Sequence, residues 1–303
     1  MSITKNSPPP VRISAPLATG TDGEHKPGPM IFLGLLWLSL LVAFAVLATL
    51  LVTILIDGWP KLTTNLFTNY PSATPETAGA RPALLGSMWV IGATAVLTLP
   101  LGIAAAIHLE EFADKKKWFN KLIELNVQNL AAVPSIVYGL LALAFLSLLG
   151  VQNKNIVIGG ALALSLLILP VIIISTREGL RAVPQEIRDG SLALGATKWQ
   201  TVWRQILPAS VPSIATGSIL ALSRALGEAA PLLVLGALVY ITFDPNGLLS
   251  GFTTLPIQIF NWTGRPQEGF HELAAATSVL LMGVLLLMNA LAIFIRNKYQ
   301  KRW

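Results

Sequence analysis

The sequence predicts an all-α membrane protein, a bundle of six transmembrane helices with both ends on the cytoplasmic side. Three observations carry this: the share of apolar residues, the length of the charge-free stretches, and the placement of Lys and Arg. Of 303 residues, 53% are hydrophobic and 12% charged, the latter about half the share of a soluble domain. A soluble chain of this length could bury a sizeable core, but not this much apolar surface. No Asp, Glu, Lys or Arg occurs between Lys26 and Asp57, Arg81 and Glu110, Glu124 and Lys154, Lys154 and Arg177, or Glu272 and Arg296. Each window holds the roughly 20 apolar residues that cross a hydrocarbon core as a helix. A further apolar segment, from about Ser210 to Phe243, is interrupted only by Arg224 and Glu228.

These windows place transmembrane helices at about 30–56, 84–108, 127–149, 155–176, 210–240 and 273–295, within one membrane domain covering 30–303. The first window is not a signal peptide. It is too long, lacks a small-residue cleavage site and follows a polar leader. That leader, 1–29, contains Pro8, Pro9 and Pro10 followed by Gly and Thr, a composition expected to stay disordered. The chain has no cysteine, which excludes disulfides and thiolate metal sites. His25, His108 and His271 are scattered and form no metal-ligand pattern. No bound cofactor is expected.

The net charge of +6 reports orientation here rather than nucleic-acid binding. With a cytoplasmic N-terminus, Lys5, Arg12, Lys26, Lys115, Lys116, Lys117, Lys121, Arg177, Arg181, Arg188, Lys198, Arg204, Arg296, Lys298, Lys301 and Arg302 fall inside. Only Lys61, Arg81, Lys154 and Arg265 fall outside, and Arg224 lies within the membrane. Lys and Arg concentrate in cytoplasmic loops, so the sequence predicts N-in and C-in. The outer loops, 57–82 and 244–272, are rich in Pro, Thr and Asn and carry Trp59, Tyr70 and Trp262. Such aromatics suit interfacial anchoring, or a surface where another protein docks.

The inner loop 177–208 reads as folded. Pro184 suits a first helical position, with Glu186 in the opening turn where the helix dipole favours an acid. Gly195 suits the left-handed end of that helix, and Thr197 with Gln200 has capping-box spacing for a second one. There Trp199, Val202, Trp203 and Ile206 recur at i, i+3, i+4 and i+7, one apolar face, and Pro208 is expected to end the helix. The pattern fits two interfacial helices packed on their own bundle, and equally a pair presented to a cytoplasmic partner.

Asp189-Gly190-Ser191, then Gly195, then Leu207-Pro208, resembles the EAA loop of ATP-binding-cassette importer permeases. Asp stands for Glu, Gly-Ser for Ala-Ala, and Gln205 for the usual isoleucine, while the spacing is kept. Three more segments resemble phosphate importer permeases of the PstA type: 132–139 (AVPSIVYG), 223–231 (SRALGEAAP) and 255–262 (LPIQIFNW), the last followed by Arg265-Pro266-Gln267. The resemblance spans about 30–303. It implies a type I, MetI-like permease fold and the permease subunit of an ATP-driven importer of inorganic phosphate. It also implies a PstC-like second permease, a PstB-like ATPase dimer that hydrolyses the ATP, and a PstS-like extracytoplasmic binding protein. Membrane lipids complete the surroundings. This chain has no Gly-x-x-x-x-Gly-Lys-[Ser/Thr] loop and is not read as the ATPase itself.

Arg224 and Glu228 are the substrate-path candidates. A charge at the centre of a membrane helix costs about 2.5–3.5 kcal/mol on insertion scales, and residues four apart share a helix face. A structural ion pair is the plain reading. Two points favour transport: Arg before Glu is the weaker order for such a pair, and apolar replacements of buried pairs are often as stable. A guanidinium fork matches a tetrahedral oxyanion, and Glu228 would hold Arg224 between passages. Gly217, Ala221 and Ala225 form a small-residue ridge for close helix approach. Gly227 and Pro231 are expected to weaken the helix beside the charges, with a similar break at Pro134-Ser135, whereas Pro170 is read as a static kink within a tightly packed helix. A permease for sulfate or molybdate, an ion-coupled secondary transporter and a signalling subunit remain the alternatives.

Overall fold

The computed structural model describes residues 27–114, 116–237 and 240–299. The leader assigned to disorder therefore lies almost wholly outside the described residues. The chain divides into two compact units, 1–51 and 52–303. Helix α1 (Pro27–Gly58) begins in the first and ends in the second, with no charged side chain before Asp57. An apolar surface on all sides suits a helix surrounded by hydrocarbon.

In the second unit, a short α2 (Thr64–Thr68) precedes α3 (Arg81–Ile107). A π-helical turn extends α3 to Phe112. Then come α4 (Trp118–Leu130), α5 (Ser135–Leu148), α6 (Val157–Arg181) and the helices of the 177–208 loop, α7 (Gln185–Ala193) and α8 (Lys198–Thr201). Helices α9 (Leu207–Leu226), α10 (Ala230–Leu235), α11 (Leu255–Thr263) and α12 (Glu268–Tyr299) complete the chain. Among the described residues five helices are long and apolar enough to cross a membrane, or six when the bent pair α4–α5 is counted as one broken span. The only strand-like pairing among them is a single bridge, Ile156 to Gly251.

The core forms where α3, α6 and α9 meet. Val90, Leu164, Leu167, Ile168, Ile172, Ala221 and Ala225 are fully or nearly fully buried there. Small residues set the spacing. An added Cβ at Gly217 would lie 2.7 Å from the Ser175 side chain, and Ala221 and Ala225 are each 1% exposed. In a bilayer this closeness is a source of stability, because lipid tails remove the hydrophobic drive between helices and leave van der Waals packing.

The segment 252–257, between α10 and α12, threads into the bundle. Phe252, Thr253, Leu255 and Ile257 are buried, the Leu255 N–H donates to Ser87 Oγ at 2.9 Å, and a Cβ on Gly86 would collide with the Thr253 carbonyl oxygen.

Two expected spans change in form. The break expected at Pro134-Ser135 is an elbow: α4 and α5 meet at 111° across residues 131–134. Pro134 precedes the first turn of α5, where its fixed φ and missing N–H cost nothing. The Tyr138 hydroxyl donates to the Leu130 carbonyl across the elbow. The fifth helix does not run to residue 240. It ends at Leu226, passes through Gly227, resumes as α10 with Pro231 in its first turn, and stops at Gly236, which has φ +87°. Pro170 causes no break, as expected, since α6 continues through it from Val157 to Arg181.

Gly86→Ala is expected to lower stability by about 1–3 kcal/mol, the usual cost of overpacking. A fall in the melting temperature of the detergent-purified complex, with none for Gly92→Ala in open space, is the measurement that checks it.

Candidate functional site

The 177–208 loop is built as a hairpin of helices on the ends of α3 and α6. Glu186 occupies the first turn of α7, and Gly195, at φ +84°, turns the chain out of it. Gly195 N–H donates to Leu192 O at 2.9 Å and Ala196 N–H to Ser191 O at 3.2 Å. A left-handed residue after the last turn is what satisfies such orphan carbonyls. Thr197 and Gln200 then form the capping box, with Gln200 N–H donating to Thr197 Oγ1 at 3.2 Å and Thr197 N–H to Gln200 Oε1 at 2.9 Å. Ser191 Oγ and Thr201 Oγ1 lie 2.9 Å apart and tie α7 to α8.

Pro208 does not end the second helix. The chain passes from α8 through a π-helical turn (Val202–Ile206) directly into α9, so that one helical body runs from Lys198 to Leu226. Proline lacks the N–H that would bond the carbonyl four residues back and its ring crowds that carbonyl. The wider π turn accommodates it. The loop's second helix and the helix bearing Arg224 are therefore one lever. Its apolar face splits: Val202 and Ile206 are buried with Ile107, Leu180 and Val183, whereas Trp199 and Trp203 are exposed. Trp199 instead stacks on Phe112 and Trp203, with centroids at 5.8 and 5.3 Å.

Of the remaining loop candidates, Asp189 and Gly190 are exposed, and Asp189 accepts a hydrogen bond from Gln185 Nε2 at 3.1 Å. Leu207 packs against the buried cluster around Val202, while Pro208 is exposed. These residues shape a surface rather than a chemical centre.

The charges that organise this end of the molecule enter the sequence analysis only as window boundaries or orientation signals, and Glu111 not at all. Arg177, 7% exposed, donates from Nε to Glu110 Oε2 at 3.0 Å and from Nη2 to Glu124 Oε1 at 2.8 Å. Arg181 reaches the same Glu110 oxygen at 2.8 Å. Arg188, on α7, donates to Glu111 Oε1 at 3.0 Å, to the Leu180 carbonyl at 2.7 Å and to the Val183 carbonyl at 2.6 Å. It thereby closes the C-terminus of α6 and holds α7 to the end of α3. Beside it lies a cavity of about 440 Å³ lined by Glu110, Glu111, Arg181, Arg188, Lys198 and Thr201 among others. The signal available in the sequence was the adjacent pair Glu110-Glu111 at the inner end of a membrane window, opposite Arg177 at the inner end of another.

Arg224 and Glu228 are not a tight buried pair in the middle of a helix. Arg224 sits in the last turn of α9 and Glu228 beyond its end, because Gly227 interrupts the helix between them. Arg224 Nε and Glu228 Oε1 are 4.0 Å apart, with side chains 54% and 23% exposed. A cation in the last turn is favoured by the helix dipole, so Arg224 is stabilised there while its donors stay free to face a ligand. The neighbours Ser223, Ala225 and Leu226 are buried, so Arg224 is the charged group this junction presents outward.

Comparison with known proteins gives the class. Residues 98–302 match the family described as binding-protein-dependent transport system inner membrane component, and the chain belongs to that family: it is a permease subunit of an ATP-binding-cassette importer. It is 36% identical over 236 residues to the probable ABC transporter permease protein YqgI of Bacillus subtilis, covering 78% of each chain. With the phosphate transport system permease protein PstA 1 of Mycobacterium tuberculosis H37Rv it shares 32% identity, covering 87% of this chain and 86% of that protein. With PstA of Haemophilus influenzae it shares 30%, covering 90% and 94%. The fold matches a chain of a bacterial alginate ABC transporter solved with an alginate-bound periplasmic protein, at TM-score 0.63, 13% identity and coverage of 90% and 96%. It also matches a chain of the inward-facing MetNI methionine transporter, at TM-score 0.54, 17% identity and coverage of 71% and 95%.

Arg177→Met removes the buried partner of Glu110 and leaves it only the half-exposed Arg181. The expected cost is about 3–5 kcal/mol, as for other broken buried pairs, read as loss of heat stability in the purified complex. Asp189→Ala, on the exposed face of α7, is expected within about 0.5 kcal/mol of the parent.

Proposed function

We infer that this chain is a permease subunit of an ATP-driven importer of inorganic phosphate. The observation that carries the substrate is the set of relatives named phosphate transport permease PstA, which match along most of both chains. The junction between α9 and α10 supports it chemically. Arg224 offers a permanently charged, planar fork of donors suited to phosphate oxygens. Glu228, at 4.0 Å, supplies a competing anion that keeps binding reversible. Broken helices within a membrane are tolerated where they line a cavity or meet other protein, and transporters commonly place substrate sites at such breaks.

In this reading both termini are cytoplasmic, and the 177–208 loop meets the ATPase. A PstB-like ATPase dimer pushes on α7, and the continuous body from Lys198 to Leu226 carries the displacement to Arg224. A PstC-like permease supplies the rest of the path, and a PstS-like protein delivers phosphate from outside. The chain contributes the path and the lever, and ATP hydrolysis belongs to its partners.

The test is reconstitution of the full complex with its binding protein in vesicles, followed by ATP-dependent uptake of phosphate and of sulfate. Phosphate uptake with little sulfate uptake supports the reading, and the reverse preference overturns it. Arg224→Gln is expected to reduce phosphate uptake at least tenfold in a complex that still assembles and hydrolyses ATP. Unchanged uptake would remove Arg224 from the path.

A further inference from the structure

Helix α4 carries a surface that the bundle leaves open. Ile123 and Val127 face inward and pack with Ala106, Leu109 and Ile173, and Glu124 reaches Arg177 on the same side. At about 100° per residue, Trp118, Leu122 and Leu125 fall on the opposite side from Val127. All three are exposed, Trp118 at 74%, and Phe119 beside them is exposed too. Lys116, Lys117 and Lys121 are exposed at the start of the same segment, while Asn120, Glu124 and Gln128 make a polar sector along one flank.

The elbow fixes where this helix lies. Helix α5 has 14 residues, about 21 Å at about 1.5 Å per residue, shorter than the roughly 30 Å of hydrocarbon in a bilayer. The apolar elbow, Leu130-Ala131-Ala132-Val133, must therefore sit at the membrane boundary rather than out in the aqueous phase. With α5 entering the bilayer from that boundary along its normal, a bend of 111° lays α4 close to the membrane plane. An in-plane helix with aromatic and aliphatic residues on one side and lysines at its rim has the make-up of an interfacial amphipathic helix.

We propose that α4 is a lipid-binding interfacial helix. Its Trp118–Leu122–Leu125 stripe enters the acyl boundary, and Lys116, Lys117 and Lys121 hold anionic phospholipid headgroups on the side where Arg177 lies. Clustered lysines beside a membrane helix favour anionic headgroups strongly, on the order of a hundredfold for three. The opposite face of α4 is bonded through Glu124 to Arg177, the side chain that also holds Glu110. Lipid held by α4 therefore steadies the base on which the 177–208 loop is mounted. That last consequence rests on the importer reading above, whereas the lipid contact itself requires only a membrane-embedded permease.

Because the chain contains no cysteine, a nitroxide attached through Leu122→Cys reports one position, in a complex whose other subunits lack reactive thiols. In vesicles of phosphatidylcholine and phosphatidylglycerol, the label is expected to be relaxed more by oxygen than by a water-soluble nickel complex. Spin-labelled phosphatidylglycerol should show a motionally restricted fraction that falls at least tenfold, relative to spin-labelled phosphatidylcholine, in K116Q/K117Q/K121Q. Preferential relaxation by nickel, shielding from both reagents by a protein partner, or an unchanged lipid preference in the triple variant would each overturn the proposal. Phosphate uptake by the same vesicles is scored separately, so failure of the importer reading shows as absent uptake with the spin-label result intact.

Discussion

The structure depends on one buried guanidinium. Arg177 ends the membrane part of α6 and binds Glu110, at the end of α3, and Glu124, on α4. These carboxylates come from segments 67 and 53 residues away in sequence. Taking such charges out of water is expensive, and they persist only when each finds a partner of opposite sign with good geometry. The node therefore specifies one arrangement of three helix ends. An apolar contact of the same size would tolerate sliding. Arg181 and Arg188 extend the node outward until it includes α7 and the carbonyls that close α6.

Above this node the bilayer changes what stabilises the bundle. Contacts among α3, α6 and α9 rely on small residues such as Gly217, Ala221 and Ala225 to bring backbones close. Below it, the loop is ordered by aqueous rules: a capping box at Thr197, a left-handed glycine at 195, and a buried Val202–Ile206 pair. The π-helical turn at Val202–Ile206 joins the two regimes. It lets a proline-bearing helix continue from the aqueous loop into the membrane. The helical backbone is thus continuous from the loop to Arg224, and its first interruption is Gly227, beyond that arginine.

Much of the loop was legible before any coordinates. Short-range signals such as the Thr197/Gln200 spacing and Gly195 act within a few residues, and the structure contains both. Signals that depend on a distant partner were not legible. Trp199 and Trp203 share a periodicity with Val202 and Ile206, yet only the latter two meet Ile107 and Leu180. Periodicity gives a face and cannot say how far round it the neighbours extend. Pro208 looked like a terminator because a regular α-helix rejects proline, whereas a π turn does not.

By itself the sequence determined the membrane class, the approximate spans, the folded character of the 177–208 loop and the chemistry available at Arg224 and Glu228. Those properties follow from apolar length, local backbone preference and residue type, all of which are written along the chain. Only the tertiary structure decided how far the expected breaks go: the third span bends by 111°, the fifth ends at Leu226, and Arg224 and Glu228 stand 4.0 Å apart across the interruption. It also decided that Arg177, Glu110 and Glu124 form one node. Ion pairing and packing act between residues far apart in sequence, and nothing in the order of the residues states which distant side chain will be near.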